Sequence, residues 1–565
     1  MRPTKIISLT GALLLLSAAM AASRTYRPPV SFSAAVADLA AVDRHVMLPV
    51  DNAALLAAAK SAESARVAVP YVFAHALEVD LDLESSGTWE DLGDGSRLWR
   101  LRIASPTAMS LSLGFSRLDL PEGAGLWIYS PRGEVVEGPY TARHASPRGR
   151  LYTPVVPGNE VVVELWVPAA VAAPALRIER VHHDFRGFAK AGACNNDVIC
   201  PEGDPWRDQI RSVARYVIAG TTLCSGQLVN NTANDDTPYF LSAFHCGVTP
   251  QNDDTVVVYW KYEAPVCGQQ SGGSLALNQT GSIFRASEET TDFLLVELSQ
   301  APDPDFDVFF TGWDVSGVPP MGSVGIHHPS GDVKSISFND DVLGTTEWIV
   351  PNTHWLVDNW EDGTTEGGSS GSCLWDPANK LCVGTLTGGL ASCSVIDLDI
   401  YGKLVEAWDV GPTAASRLRD WLDPLGLGVT TLEGRDPGDA PPPPPPPQGA
   451  CAPSATTLCL RDGRFRVEVS RTGAGGPGPA TVVGAGNDES GIFWFFGPEN
   501  WEMLLKVLNG CSINNRYWVF AATASAVEWT ITVTDTEADV TKTYDHMAGT
   551  ASPALTDTSA FATCP

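Results

Sequence analysis

Apolar and polar positions alternate along most of this 565-residue chain. Leu98-Trp99-Arg100-Leu101-Arg102-Ile103 and Val161-Val162-Val163-Glu164-Leu165-Trp166-Val167 repeat with the two-residue period of a strand. Gly, Pro and Asp punctuate these runs, as in Pro121-Glu122-Gly123-Ala124-Gly125. Residues 24 to about 190 are therefore expected to fold as a small antiparallel β domain, with a helix within the Ala-rich stretch 34–65. Residues 191–435 continue in short strands such as Thr255-Val256-Val257-Val258-Tyr259-Trp260, with one late helical stretch over 414–422. That pattern predicts a β-barrel protein with a C-terminal helix. Residues 441–447 are an unbroken proline run, a stiff spacer about 20 Å long at ~3.1 Å per residue. Beyond it, residues 451–565 return to strand periodicity at 464–469 and 529–534, which predicts a separate β domain.

Length alone calls for several domains. A hydrophobic content of 44% and a charged content of 18% mark a globular chain. The net charge of −29 argues against a nucleic-acid partner and modestly favours basic substrates. Arg2 and Lys5 precede a short apolar stretch at 6–20, and Ala19-Met20-Ala21 offers a small-x-small cleavage site. Residues 1–21 thus read as a signal peptide of a secreted protein. The apolar run is shorter than the ~20 residues of a membrane span, and no later segment is long enough, so no membrane association is expected. Twelve cysteines occur, none before Cys194. An even number in an exported chain implies disulfides. There is no Cys-x-x-Cys pair, and His327-His328 lacks further ligands at metal spacing, so neither a metal nor a cofactor is expected.

Three strings carry candidate chemistry. In Glu366-Gly367-Gly368-Ser369-Ser370-Gly371-Ser372-Cys373, small residues allow a sharp turn that presents the Ser370 hydroxyl. The same turn would aim the N–H groups of Gly368 and Ser370 at one spot as an oxyanion hole. In Phe240-Leu241-Ser242-Ala243-Phe244-His245-Cys246-Gly247, an apolar strand delivers a histidine beside a cysteine. Asp292 heads the apolar run Phe293-Leu294-Leu295-Val296, where a carboxylate needs a partner such as an imidazolium. The order His245, Asp292, Ser370 is that of chymotrypsin, and differs from the subtilisin and α/β-hydrolase orders.

From about Cys194 to Leu425 the chain resembles the bacterial lysyl endopeptidases of the chymotrypsin-like serine proteases. The strings that carry this are Cys194-Asn195-Asn196-Asp197-Val198-Ile199-Cys200-Pro201-Glu202-Gly203-Asp204, Leu228-Val229-Asn230-Asn231-Thr232-Ala233-Asn234-Asp235, Ile326-His327-His328-Pro329 and residues 416–424. The resemblance implies a mainly β protein with a chymotrypsin-like double β-barrel, the triad His245, Asp292 and Ser370, and the disulfides Cys194–Cys393, Cys200–Cys267 and Cys224–Cys246. Cys373 and Cys382 fall outside that pattern and flank a short predicted hairpin, so they are expected to pair together. The family's pocket aspartate falls on Asp399, with Asp397 as the alternative. Trp348 matches a family aromatic near the substrate. Its usual histidine partner is replaced by Thr387, ahead of Gly388 and Gly389 on a strand suited to pair with substrate backbone. That replacement makes Arg acceptance more plausible. The tail resembles accessory β domains of secreted bacterial proteins, through Leu458-Cys459-Leu460-Arg461 and residues 491–496 and 516–520. Its aromatic positions are expected to be core.

The expected organisation is a signal peptide (1–21), a β-rich propeptide (22–190), the protease (191–435), a Pro-rich linker (436–450) and a β-sandwich-like accessory domain (451–565). Lys190 is the expected processing site, with the propeptide as intramolecular inhibitor of a monomeric protease acting on protein substrates. Trypsin-type activation pairs a new N-terminus with an Asp just before the nucleophile. That position is Ser369 here, so cleavage is expected to remove a blocking domain rather than to build the oxyanion hole. A broader Lys/Arg endopeptidase and a catalytically silent binding protein are the alternatives.

Overall fold

The computed structural model describes residues 27–439 and 451–564, apart from 66–67, 189–190, 396, 462, 474–475, 539 and 550–551. The expected signal peptide, Lys190 and the proline run lie outside the described residues.

The alternating runs of the N-terminal segment form strands whose apolar sides face one another. Arg97–Ala104 pairs with Glu160–Val167 in an antiparallel register and with Arg44–Val46 in a parallel one. A second sheet is built on Ala74–Asp82, Ser110–Asp119 and Ala175–Asp184. Leu101, Ile103, Leu111, Phe115, Val163 and Ile178 share one core between them. Two charged positions of the alternation are buried, and each has a partner. Arg100 meets Glu90 at 2.5 Å, and Glu164 accepts from Tyr129 Oη at 2.8 Å. The Ala-rich stretch is helical only over Asn52–Ala65, because residues before it turn through Leu39–Ala41 and pair as Arg44–Val46.

Residues 191–439 supply seven strands of an eight-stranded sheet and all of a ten-stranded one, both largely antiparallel. Strands Tyr239–Ala243 and Phe293–Leu298 are buried on both faces. Phe240, Leu294 and Val296 pack into the eight-stranded sheet's own core, whereas Leu241, Phe293 and Leu295 join Trp313, Ile326 and Trp375 of the other sheet. Burial on two sides explains why these strands read as continuous apolar runs. It also places the turns at their ends, which carry His245 and Asp292, at the junction of the two sheets. Strand Tyr71–Val72 of the N-terminal segment adds to Thr222–Leu228, pairing Tyr71 with Leu223. The expected helix over 414–422 is broken into Ala414–Ser416 and Arg419–Leu422. Between them Arg417 is extended (φ −156°, ψ 154°), which drives Leu418 into the core and leaves Arg417 beside Asp409 and Asp420.

Residues 451–564 form a separate unit of two five-stranded sheets around one core that includes Phe465, Phe493, Met503, Val519, Ile531 and Phe561. Of the aromatic positions singled out there, Phe493, Phe495 and Tyr517 are core, Trp494, Trp518 and Phe520 are half-buried, and Phe496 is 53% exposed. Six disulfides are present: Cys194–Cys393, Cys200–Cys267, Cys224–Cys246, Cys373–Cys382, Cys451–Cys459 and Cys511–Cys564. Among the described residues no helix is long and apolar enough to cross a membrane.

The bridges Cys194–Cys393 and Cys373–Cys382 close sequence separations of 199 and 9. Chain entropy then predicts that replacing both cysteines by serine costs about 5 kcal/mol for the first pair and about 2.6 kcal/mol for the second. Urea unfolding followed by tryptophan fluorescence checks the ranking. Equal losses would show that loop length does not set it.

Candidate active site

Strand Tyr239–Ala243 runs into the one-turn 3-10 helix Phe244–Cys246, closed by Gly247 at φ +86°. The Cys224–Cys246 bridge ties this turn to the neighbouring strand. Asp292, just before strand Phe293–Leu298, adopts φ +51°, and its carbonyl accepts the N–H of Phe244 at 3.1 Å. Asp is among the few side chains enriched in this left-handed region. Its carboxylate turns back on His245: Oδ1 accepts the backbone N–H at 2.9 Å and Oδ2 lies 2.8 Å from Nδ1. Asp292 is 1% exposed. A carboxylate buried so far needs donors, and as an acceptor-only group it fixes the proton on Nδ1 and leaves Nε2 as a lone-pair acceptor. Nε2 is buried with no hydrogen-bond partner.

The Ser370 turn is held from two sides. Ser225 donates from its backbone to the Ser370 carbonyl at 2.9 Å and from its hydroxyl to the Gly368 carbonyl at 2.9 Å. Gly371 donates to Leu386 and Leu386 to Ser372, each at 2.8 Å, which joins the turn to strand Cys382–Gly389. Gly368 and Gly371 have φ of +99° and +82°, values that glycine adopts without strain. The N–H groups of Gly368 and Ser370 find no acceptor among the described residues. They are two donors free to meet an anion beside the Ser370 hydroxyl. The preceding side chain points the other way: Ser369 Oγ lies 2.8 Å from Nδ1 of His327, whose Nε2 lies 3.1 Å from Ser337 Oγ. Burial pulls the His327 pKa down to about 3, so this buried brace is neutral. Both sulfurs beside His245 belong to the Cys224–Cys246 bond, so they offer no thiolate for a metal.

A cavity of about 130 Å³ opens beside Ser370, lined by Thr365, Gly367, Leu386, Gly388 and Gly389. Glu63, Val69 and Tyr71 of the N-terminal segment line it from the other side. Asp399 stands behind its wall, fully buried. Its Oδ2 accepts from Trp360 Nε1 at 2.7 Å and from Thr365 Oγ1 at 2.6 Å, while Oδ1 has no partner. A Cβ on Gly389 would lie 1.9 Å from that Oδ1, so only glycine leaves the approach open. Burial pushes the Asp399 pKa up to about 6, against the two hydrogen bonds that lower it. Asp397 accepts from the N–H of Leu398 and lines a different cavity, beside Cys194 and Trp360.

Trp348 and Thr387 do not line the Ser370 cavity. Thr387 Oγ1 lies 3.0 Å from Nε2 of His354, and the Trp348 ring lies 6.4 Å from the His354 ring. His354 is buried, which lowers its pKa to about 4. His354, Thr365 and Trp360 are not legible in the sequence, because each is an isolated polar or aromatic residue whose partner is distant along the chain.

Gly371→Ala should remove the reactivity of Ser370. The added Cβ would lie 2.0 Å from Ser242 Oγ and 2.6 Å from the Ser225 carbonyl. A left-handed L-residue costs a further 1–2 kcal/mol or so. Labelling by a fluorophosphonate probe, with circular dichroism as a fold control, is the measurement. Labelling at the parent rate would show that the turn tolerates a side chain.

Comparison with known proteins adds the lineage. Residues 39–183 match the family model "Lysyl endopeptidase N-terminal domain", and residues 188–402 match "Lysyl endopeptidase, C-terminal domain". A lysyl endopeptidase of Pseudomonas aeruginosa is 28% identical over 352 residues, covering 56% of this chain and 73% of that protein. The crystal structure of tobacco vein mottling virus protease aligns with 39% of this chain and 84% of its own at 10% identity. Its TM-score of 0.22 is too low to bear on the fold. The two family models together account for well over half of the residues, and the chain belongs to the lysyl endopeptidase family of serine endopeptidases.

Proposed function

We propose that residues 191–435 are a chymotrypsin-like double β-barrel protease that cleaves on the carboxyl side of Lys through an acyl-enzyme on Ser370. The observation that carries the specificity is Asp399, a fully buried carboxylate with one oxygen satisfied twice and the other not at all. An unpaired buried anion is costly, and a lysine ammonium entering past Gly388 and Gly389 offsets that cost. Ser370 Oγ attacks the scissile carbonyl while His245 Nε2 takes its proton. Asp292 stabilises the imidazolium that results. The N–H groups of Gly368 and Ser370 receive the oxyanion, His245 protonates the leaving amine, and water then cleaves the ester by the same steps in reverse. Broader Lys/Arg cleavage is the second reading. It is supported by Thr387, which bonds His354 and leaves Asp399 to set the choice alone.

Residues 22–190 are read as an inhibitory propeptide of a secreted precursor. Glu63, Val69 and Tyr71 occupy one side of the Ser370 cavity, and six disulfides suit an oxidising compartment. Lys190 is the proposed processing site. In a Lys190→Gln precursor, N-terminal sequencing should find no cut at that bond. Maturation there at the parent rate would exclude self-processing.

Digestion of a denatured protein by the mature enzyme, read by mass spectrometry, should give cuts after Lys only. Cuts after Arg at similar rates would establish the second reading, and no cuts would remove both. Affinity for pentylamine, a mimic of the lysine side chain, should fall as pH drops through about 6. The sign follows from Asp399: its folded pKa is raised, so below that pH it is neutral and no longer attracts an ammonium. Calorimetric titration with Asp399→Asn as control tests this. Affinity that is flat with pH in the parent enzyme would remove Asp399 from the pocket.

A further inference from the structure

The oxyanion donor on Gly368 is set by a peptide plane. In a trans peptide the C=O of one residue and the N–H of the next point in opposite directions. The Gly367 carbonyl accepts the N–H of Ser330 at 2.6 Å, so the Gly368 N–H is turned the other way, where it has no acceptor. Ser330 belongs to the short loop Pro329–Gly331 and is itself held at φ +53°. Its hydroxyl donates to Glu366 Oε2 at 2.8 Å. A Cβ on Gly368 would lie 2.9 Å from the Gly331 nitrogen, so this loop lies directly against the Ser370 turn.

Two carboxylates bind the loop and the turn to residues 191–192. The N–H of Ala191 donates to Asp332 Oδ2 at 2.8 Å, and that of Gly192 donates to Glu366 Oε1 at 3.1 Å. Asp332 is 3% exposed, and its other oxygen accepts the N–H of Val333 at 2.8 Å. Hydrolysis of the peptide bond before Ala191 adds one water across it. The carboxylate stays with the N-terminal piece, and the amide nitrogen beside Asp332 becomes an ammonium.

We propose that the loop Pro329–Asp332 positions the oxyanion hole, and that the ammonium freed at Ala191 locks it by forming a buried ion pair with Asp332. Asp332 and Glu366 are then positioning residues. This rests on the reading that maturation occurs after Lys190. The new N-terminus reaches the oxyanion hole through the loop beside it rather than through residue 369, whose hydroxyl is already held by His327. A charge-assisted bond to a buried carboxylate is roughly twice as strong as the neutral amide contact it replaces, so the turn is held more firmly after the cut than before it.

The test matures the full-length precursor as the parent, as Asp332→Asn, and with one glycine inserted between Lys190 and Ala191. The insertion keeps every side chain but displaces the ammonium by one residue, about 3.8 Å. Intact mass and N-terminal sequencing establish the start of each mature chain, and active-site titration normalises the rates. Both altered enzymes should lose about tenfold or more in kcat, up to the ~10²–10³ that outright loss of an oxyanion donor costs, with KM changed less than about twofold. Affinity for a lysyl peptide aldehyde, whose adduct needs the same donors, should fall in parallel. A parent that starts at Ala191, together with undiminished kcat in the glycine-extended enzyme, overturns the inference and leaves the processing site standing. A parent N-terminus elsewhere overturns both. If Asp332→Asn fails to fold, the glycine-extended enzyme decides.

Discussion

The carboxylate of Asp292 is the constraint around which the second half of the N-terminal unit is arranged. It sits at the head of a strand whose two faces are both apolar, where an unpaired anion is costly by several kcal/mol. Its left-handed backbone turns it toward the one turn that can supply donors, and that turn supplies two, the N–H and the imidazole of His245. The disulfide at Cys246 keeps the turn from drifting away. An acceptor that must be satisfied thus fixes the imidazole of His245 and leaves its Nε2 buried with no hydrogen-bond partner.

Asp399 is the counterpart built to the opposite rule. Asp292 has donors on both oxygens, whereas Asp399 has two donors on one oxygen and none on the other. The first arrangement fixes a geometry. The second leaves one buried oxygen without a hydrogen-bond partner, directly beside Gly389. In the proposed function, the fully satisfied carboxylate would serve positioning and the half-satisfied one selection.

What could be read from the sequence follows from how local each signal is. The strands around Leu98 and Val161 announced themselves because alternate residues share one core, and His245 and Asp292 because each adjoins an apolar run. The helix over 414–422 was misread: Arg417 has helical propensity, but burial of Leu418 and contacts to Asp409 and Asp420 override it. Ser330, Asp332, Thr365 and His354 left no trace, because their roles depend on partners between 33 and about 140 residues away. Trp348 and Thr387, expected beside the substrate on a family pattern, cluster around His354, and Thr387 sits between Leu386 and Gly388, which line the Ser370 cavity. The tail's disulfide pairing was equally closed to sequence reasoning, since four cysteines admit three connectivities.

Arg215 gives the maturation scheme a direction. Its guanidinium is fully buried between the rings of Phe188 and Tyr262, at 3.9 and 4.1 Å from their centroids. Only Nη1 has an acceptor, the Gly331 carbonyl, and both Nε and Nη2 go without one. Phe188 lies on the departing side of the proposed cut. Were it to leave, water would reach the two nitrogens that are buried without a partner, an exchange that would favour separation. Under the proposed maturation, that burial would weigh against the two folded pieces coming back together after the cut.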